Sequence, residues 1–407
     1  PFALAITVFI VKKFAPSAQG HGTEKVIEAV HKNSGKINIS VVPTKLFATV
    51  LTIFAGGSVG KEGPGAQIGA SLASFIAMKL NFSNRDRKKI VICGISAGFA
   101  SVFGTPLAGA IFGVEILIVG ALMYDILLPS IVAGFSAFLV AKMFGINYTY
   151  FYIAFYSSFD FNYVLLSKVI LGGIFFGLVA DFIITTLGTF HKYVDKININ
   201  YILKSFLGGV ILVILTLIIG EDYLGLGFHT IKDSLSYNTD AYENVPWYAF
   251  IMKTIFTSIT LAFGGSGGVI TPIFYVGATS GNFFGYLVDG YIPSFAALGF
   301  VSVLAGTTSA PIAAMIMAVE LFGMDVGHYA AISIIIAFLM TGHRSVFPSQ
   351  LLSMKKSEAI EIKLGEEIIN SQTSYTTRFF INIQNIINVL LKRSKKDTKE
   401  NMEDKKE

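Results

Sequence analysis

The chain has 407 residues, 53% of them apolar and only 14% charged, with a mean hydropathy of +0.65. A soluble domain carries about a quarter charged residues, so this composition excludes a soluble globular enzyme and points to a membrane protein. The formal charge of +5 sits in a few places rather than on one face, and the single cysteine, Cys93, excludes an internal disulfide.

The chain opens at Pro1 inside an apolar run, without a secretory signal, and reads as a fragment whose first membrane segments are missing. Apolar runs follow at 41–54, 107–120, 126–144, 164–187, 202–219 and 332–340. A perpendicular span needs roughly 17–25 residues, and several of these runs are shorter or carry Gly or Pro. Short, broken segments predict backbone that leaves the helix at membrane depth, which is tolerated only where it is buried or lines a cavity. Cys93 lies in an apolar stretch and reads as core packing. Residues 79–89, KLNFSNRDRKK, form a basic connection. After residue 352 the pattern turns polar, with a short amphipathic helix expected over 379–391 and a mixed-charge end, LLKRSKKDTKENMEDKKE. Basic flanks mark the cytoplasmic side, which places the C-terminus there as a solvated tail. Binding of this tail to nucleic acid or anionic lipid is the alternative.

The sequence also repeats itself. GGSVGKEGPGAQIGA begins at Gly56, and GGSGGVITPIFYVGA begins at Gly264, an offset of 208 residues. At that offset Gly57, Ser58, Gly60, Pro64, Gly69 and Ala70 meet identical residues. Downstream, GTPLAGAIFGVE and SAPIAAMIMAVE match at an offset of 205, which pairs Pro106 with Pro311 and Glu115 with Glu320. Each half therefore supplies a Gly-rich turn that leads into a helix, with Pro64 and Pro272 in the first turns, where proline is accepted. Helix starts carry unpaired amides that attract anions. Inverted halves with ion sites between broken helices are a common transporter plan, so the repeat predicts an anion site facing two helix N-termini. Glu62 interrupts the first turn, and its repeat mate is Ile270. A carboxylate at a helix start uses the same dipole field as a halide. It can therefore compete with the halide, and protonation releases it. Its other role would be to complement the dipole alone. A P-loop is excluded, since Ala55 stands where its first glycine belongs and Glu62 follows the lysine.

Taken together, GKEGP at residues 60–64, GGVITP at 267–272 and GHGTE at 20–24 resemble the signatures of the CLC family of chloride channels and chloride/proton exchangers, the last in degenerate form. The resemblance covers nearly all of residues 1–352. It implies an all-α membrane protein, an inverted repeat of broken, tilted transmembrane helices, followed by a polar cytoplasmic tail over 353–407 too short for a large regulatory domain. It implies a homodimer in the cell membrane, in contact with lipid, with a pore in each subunit. The cargo would be chloride or another halide, in exchange for protons. No cofactor, metal, nucleic acid or enzymatic activity is implied. Glu62 matches the family's external gating glutamate, with Lys61 adding positive potential at the outer entrance. The anion would be held by backbone amides around Gly63, Gly65, Ile270 and Thr271.

Three positions depart from the family pattern. His21 stands at the anion-coordinating serine, where it would either ligate the anion or line a vestibule. Phe347 stands at the coordinating tyrosine, which leaves the inner pore without that hydroxyl. His343 and Arg344 beside it would draw anions to the inner mouth or anchor the chain at the interface. Ile116 stands at the internal proton-relay glutamate, while Glu115 and Glu320 match structural glutamates of the family. An uncoupled channel is thus one alternative. A fluoride/proton antiporter is the other, supported by Thr271, Pro272 and the PSQ after Phe347, and weakened by Val269 in the place of that branch's glutamate.

Overall fold

A computed structural model describes residues 1–151, 153, 163–356, 360–361, 363–370 and 374–375. The helix expected over 379–391 and the charged end lie outside the described residues. Sixteen α-helices dominate the described part. In the first half they are α1 (Phe2–Phe14), α2 (Thr23–Lys32), α3 (Val41–Phe54), α4 (Glu62–Lys79), α5 (Asn84–Phe103), α6 (Pro106–Glu115) and α7 (Tyr124–Met143). The long α8 (Tyr163–Asp195) leads to the second half: α9 (Tyr201–Ile219), α10 (Phe228–Ser234), α11 (Thr239–Glu243), α12 (Ala249–Ala262), α13 (Ile270–Leu287), α14 (Ile292–Thr308), α15 (Pro311–Phe322) and α16 (Met324–Met340).

Among the described residues three helices, α7, α8 and α9, are long and apolar enough to cross a bilayer, while α3, α6, α12, α14, α15 and α16 are apolar but shorter. Large apolar side chains face outward on the long helices, with Leu217 83% and Leu128 70% exposed. Such an apolar exterior suits lipid rather than water. The expected pattern of short, broken helices among long ones is therefore what the chain forms.

The repeat is structural as well as sequential. Helices α3 and α4 superpose in sequence on α12 and α13 at the offset of 208 residues, ends included. Matched residues then bond across the halves in reciprocal fashion. The Gly60 amide donates to the Gly268 carbonyl at 2.7 Å, and the Gly268 amide returns a bond to Gly60 at 2.6 Å. The Ser58 amide donates to the Thr260 hydroxyl at 3.1 Å, as the Ser266 amide donates to the Thr52 hydroxyl at 3.2 Å. The Ser58 hydroxyl meets that of Thr257 at 3.0 Å, and Ser266 meets Thr49 at 3.3 Å. A set of bonds that maps onto itself when the halves are exchanged defines a local two-fold axis, and that axis runs between Gly60 and Gly268.

Glycine permits the close packing on either side of the axis. Helix α4 lies against α5 so tightly that a Cβ on Gly94 would meet the Gly69 carbonyl oxygen at 2.6 Å, and a Cβ on the matched pair's Gly277 would meet the Gly299 oxygen at 2.5 Å. Small residues at helix crossings allow van der Waals packing inside a membrane, where hydrophobic burial drives little. Glu115, at the end of α6, accepts from the amides of Ile312 and Ala313 at 3.0 and 2.8 Å. Glu320, at the end of α15, accepts from Leu107 and Ala108 at 3.1 and 2.8 Å. Each carboxylate thus satisfies the open amides of the other half's helix start, the structural role anticipated for this pair.

After α16 the chain returns to the same end of the helices as α2. Ile118–Val119 (β1) pairs in parallel with Leu351–Leu352 (β2). The Gln350 side-chain Nε2 donates to the carbonyls of Ile116 and Thr308 at 2.7 and 2.9 Å. Lys32 reaches Glu367 at 3.0 Å. Ile360–Glu361 (β3) pairs antiparallel with Ser374–Tyr375 (β4).

Candidate functional site

The site forms where the two Gly-rich turns cross. Glu62 opens α4 and is 2% exposed. Its carboxylate does not stay on its own helix. Oε2 accepts from the Thr271 amide at 3.1 Å and from the Thr271 hydroxyl, so it caps α13, the helix of the other half. The side chain therefore fills the position that an anion would take at that helix start.

No backbone carbonyl takes the amides of Gly63 or Ile270, which remain open in the first turns of α4 and α13. Gly65 is different. Its amide donates to the Lys61 carbonyl at 3.0 Å, inside the helix. The expectation that Gly65 offers a free donor is corrected on that ground: it lies one turn in, and its glycine instead admits Val102 of α5.

Two cavities lie near the crossing, and Glu62 lines one of them. One, of about 340 Å³, is lined by Lys61, Glu62, Tyr148, Phe228 and Lys232, among others. Lys61 lies over the Phe228 ring, 5.3 Å from its centre. The other, of about 740 Å³, lies on the side of β2 and is lined by His21, Glu24, His191, Lys192 and Arg344 with apolar neighbours. The His21 ring packs against that of Phe347 at a tilt of 54°, with centres 5.5 Å apart, and Phe347 is fully buried. The His21 carbonyl lies where a Cβ on Gly63 would be, so the loop carrying His21 packs directly on the start of α4. Arg344 is held by Asp181 and by the Thr185 hydroxyl at 2.8 Å. His343 points elsewhere: it is 3% exposed, and its Nε2 accepts from the Lys356 amide at 2.9 Å. Ile116 is fully buried.

Sequence reasoning missed two lysines. Lys45 donates to the carbonyls of Ala18 and Gly20, at 3.1 and 2.5 Å. Lys253 donates to those of Tyr223 and Gly225, at 3.1 and 2.8 Å. Both are fully buried. They are repeat mates at the offset of 208, and each clamps the loop before a helix start, with left-handed glycines at Gly20 and Gly22 and again at Gly225 and Gly227. Carrying the repeat upstream of Gly56 would have found them. No group of three or more His, Cys, Asp or Glu that could hold a metal occurs among the described residues.

Crossed helix starts on a two-fold axis, with a buried carboxylate of one half bonded to the helix start of the other, define a multi-pass membrane protein of the inverted-repeat transporter class. The profile described as "Voltage gated chloride channel" matches residues 3–342, and the chain belongs to that family. It is 34% identical to a "Chloride/fluoride channel protein" of Pseudomonas syringae pv. tomato, over 82% of this chain and 74% of that protein. It is 30% identical to an uncharacterized protein of Methanocaldococcus jannaschii, over 81% of each. Among solved structures it resembles a CLC-type fluoride/proton antiporter with a TM-score of 0.80 and 26% identity, covering 86% of each chain. A slow cyanobacterial Cl−/H+ antiporter shares the fold, with a TM-score of 0.70 and 21% identity over 83% of this chain and 81% of that one.

Proposed function

We propose that the protein carries a halide across the plasma membrane in exchange for protons, with Glu62 as the group that yields its place to the anion. The observation that carries this reading is the Glu62 carboxylate on the Thr271 amide and hydroxyl, at the mouth of the other half's helix. A carboxylate and a halide compete for the same open amides, and a proton on Glu62 decides between them. Gly63, Ile270 and Thr271 supply the amides, and His21 and Phe347 form the wall toward the larger cavity. Lys61 and Lys232 bring positive charge to the smaller one. Transport, not catalysis, is the activity. The protein acts as a homodimer in contact with lipid, with one pore in each subunit, and residues 353–407 form a cytoplasmic tail.

Chloride is the cargo under the first reading. Fluoride is the second, and what favours it is the greater likeness to the fluoride/proton antiporter than to the Cl−/H+ antiporter, 26% against 21% identity. The test is purified protein in liposomes, with chloride, fluoride and proton fluxes recorded together for wild type and Glu62→Gln. Glutamine imitates the protonated carboxyl at every pH. Halide flux should persist, its pH dependence should flatten, and proton movement should vanish. A Glu62→Gln protein that still pumped protons on a halide gradient would remove Glu62 from the coupling. A wild type that moved halide and no protons would make the protein an uncoupled channel.

A further inference from the structure

A proton that reaches Glu62 from the larger cavity needs a group that can take it from water and pass it on. Glu24 is the carboxylate among the residues lining that cavity. Its two oxygens are treated differently. Oε1 is fixed, accepting from the Ser349 amide at 2.9 Å and from the Ser349 hydroxyl. Oε2 is buried and has no hydrogen-bond partner. An ionised oxygen left so carries the full desolvation penalty, whereas a protonated one does not. The arrangement therefore suits a carboxyl that is held by one oxygen and gains and loses a proton at the other.

Three residues earlier, in the loop that precedes α2, His21 Nδ1 is also buried and also lacks a partner. His21 lines the same cavity, and its carbonyl lies against Gly63, the residue after Glu62. Two unpartnered proton-binding atoms thus belong to residues that line one cavity, and one of these residues packs against the base of the gate. The charged groups around them are known. Lys25 and Glu28 follow on α2 and pair with each other at 2.8 Å. His191 and Lys192 face the cavity from α8, and Arg344 faces it already bound to Asp181. Lys45, from α3, is occupied with the carbonyls of Ala18 and Gly20. Among these, the described residues leave Glu24 as the carboxylate that no cation holds in an ion pair.

We infer that Glu24 is the inner proton-loading group of the exchange cycle: its Oε2 takes a proton from water in the 740 Å³ cavity and returns it to water or to His21, toward Glu62. One proton is bound and one released, and no other bond changes. The inference rests on the proton-exchange reading above. It also accounts for transport without a carboxylate at the buried Ile116.

The experiment records proton and halide flux together in proteoliposomes for wild type, Glu24→Gln, Glu24→Asp and Ser349→Ala, with dispersity checked by size-exclusion chromatography. Glu24→Gln should cut proton flux by more than about tenfold, with halide flux kept within about threefold, and Glu24→Asp should restore proton flux. A purely structural role would lower both fluxes together and would not be rescued by the shorter acid. Should Glu24→Gln fail to fold, Ser349→Ala decides, since it removes the hydroxyl bond to Oε1, leaves the amide bond and keeps the carboxyl: proton flux should fall relative to halide flux, and an unchanged ratio overturns the inference. A wild-type ratio in Glu24→Gln also overturns it. A wild type without proton movement overturns the exchange reading itself, and appears in the first arm before any variant is compared.

Discussion

Thr271→Val isolates the contact on which the gate rests. Thr271 is fully buried, and valine replaces its hydroxyl with a methyl of nearly the same size and the same branching. The helix and the Thr271 amide bond to Glu62, at 3.1 Å, should survive. What is lost is one hydrogen bond to a carboxylate, worth about 1.5–3 kcal/mol. Since 1.4 kcal/mol is a factor of ten, the docked form of Glu62 should lose about 10- to 100-fold against its released form. A halide that competes for the same amides should gain apparent affinity by up to that factor. Calorimetric titration of chloride and of fluoride at one pH, on wild type, Thr271→Val, Glu62→Gln and the double variant, measures it. The gain should be present with Glu62 and shrink below about threefold without it, because a cycle of this kind isolates the pairwise interaction. Thr271→Ser, which keeps the hydroxyl, should bind halide as wild type does. A loss of affinity in Thr271→Val would mean that the hydroxyl serves the anion rather than the gate, and the same change in the Glu62→Gln background would refute the competition.

The two-fold relation predicts that Lys45→Met and Lys253→Met cost similar stability, about 1–3 kcal/mol for each carbonyl left without its donor, and thermal unfolding in detergent would show the pair falling together. A loss confined to one of them would break the equivalence. The segment after α16 should dock more firmly as pH rises. Burial lowers Lys356 to about 7 and also lowers His343. Free lysine titrates near 10.4 and histidine near 6.5, so the detached segment binds more protons than the docked one, and docking gains with pH up to about pH 10. Hydrogen exchange at Leu352 and Lys356, corrected for intrinsic rates, should slow accordingly, and a flat profile in the wild type would contradict it.

Much of this was legible because the repeat is written in small residues. Gly60, Gly268, Pro64 and Pro272 are needed wherever two backbones cross, and their spacing gave away both helix starts. Glu62 was legible because a charge among glycines has few structural reasons to be there. Glu24 left no comparable sign: its anchor, Ser349, is 325 residues away, and an unpartnered oxygen is a property of packing rather than of spacing. The tilted ring contact of His21 with Phe347 was hidden for the same reason. Gly65 misled because a glycine in a helix's first turns serves either an open amide or a neighbouring helix, and only the neighbour, Val102, tells which. Lys45 and Lys253 stand in apolar runs with no motif around them to mark them, although their common offset was there to be found.

The bonds between Gly60 and Gly268 also bear on how such a chain is made. The ribosome finishes the first turn long before it reaches the second. At about 5–20 residues per second, the 208 residues between them take roughly 10–40 s. Throughout that interval Gly60 has an amide and a carbonyl with no mate, and in hydrocarbon each such group costs several kcal/mol. The newborn first half must therefore wait in a wet or protein-lined place, beside the insertion machinery or at the bilayer surface, and can settle only when its twin arrives. Biogenesis of this fold should then be sensitive to translation speed between the two turns, and a nascent chain arrested before Gly268 should remain open to proteases that the finished protein resists.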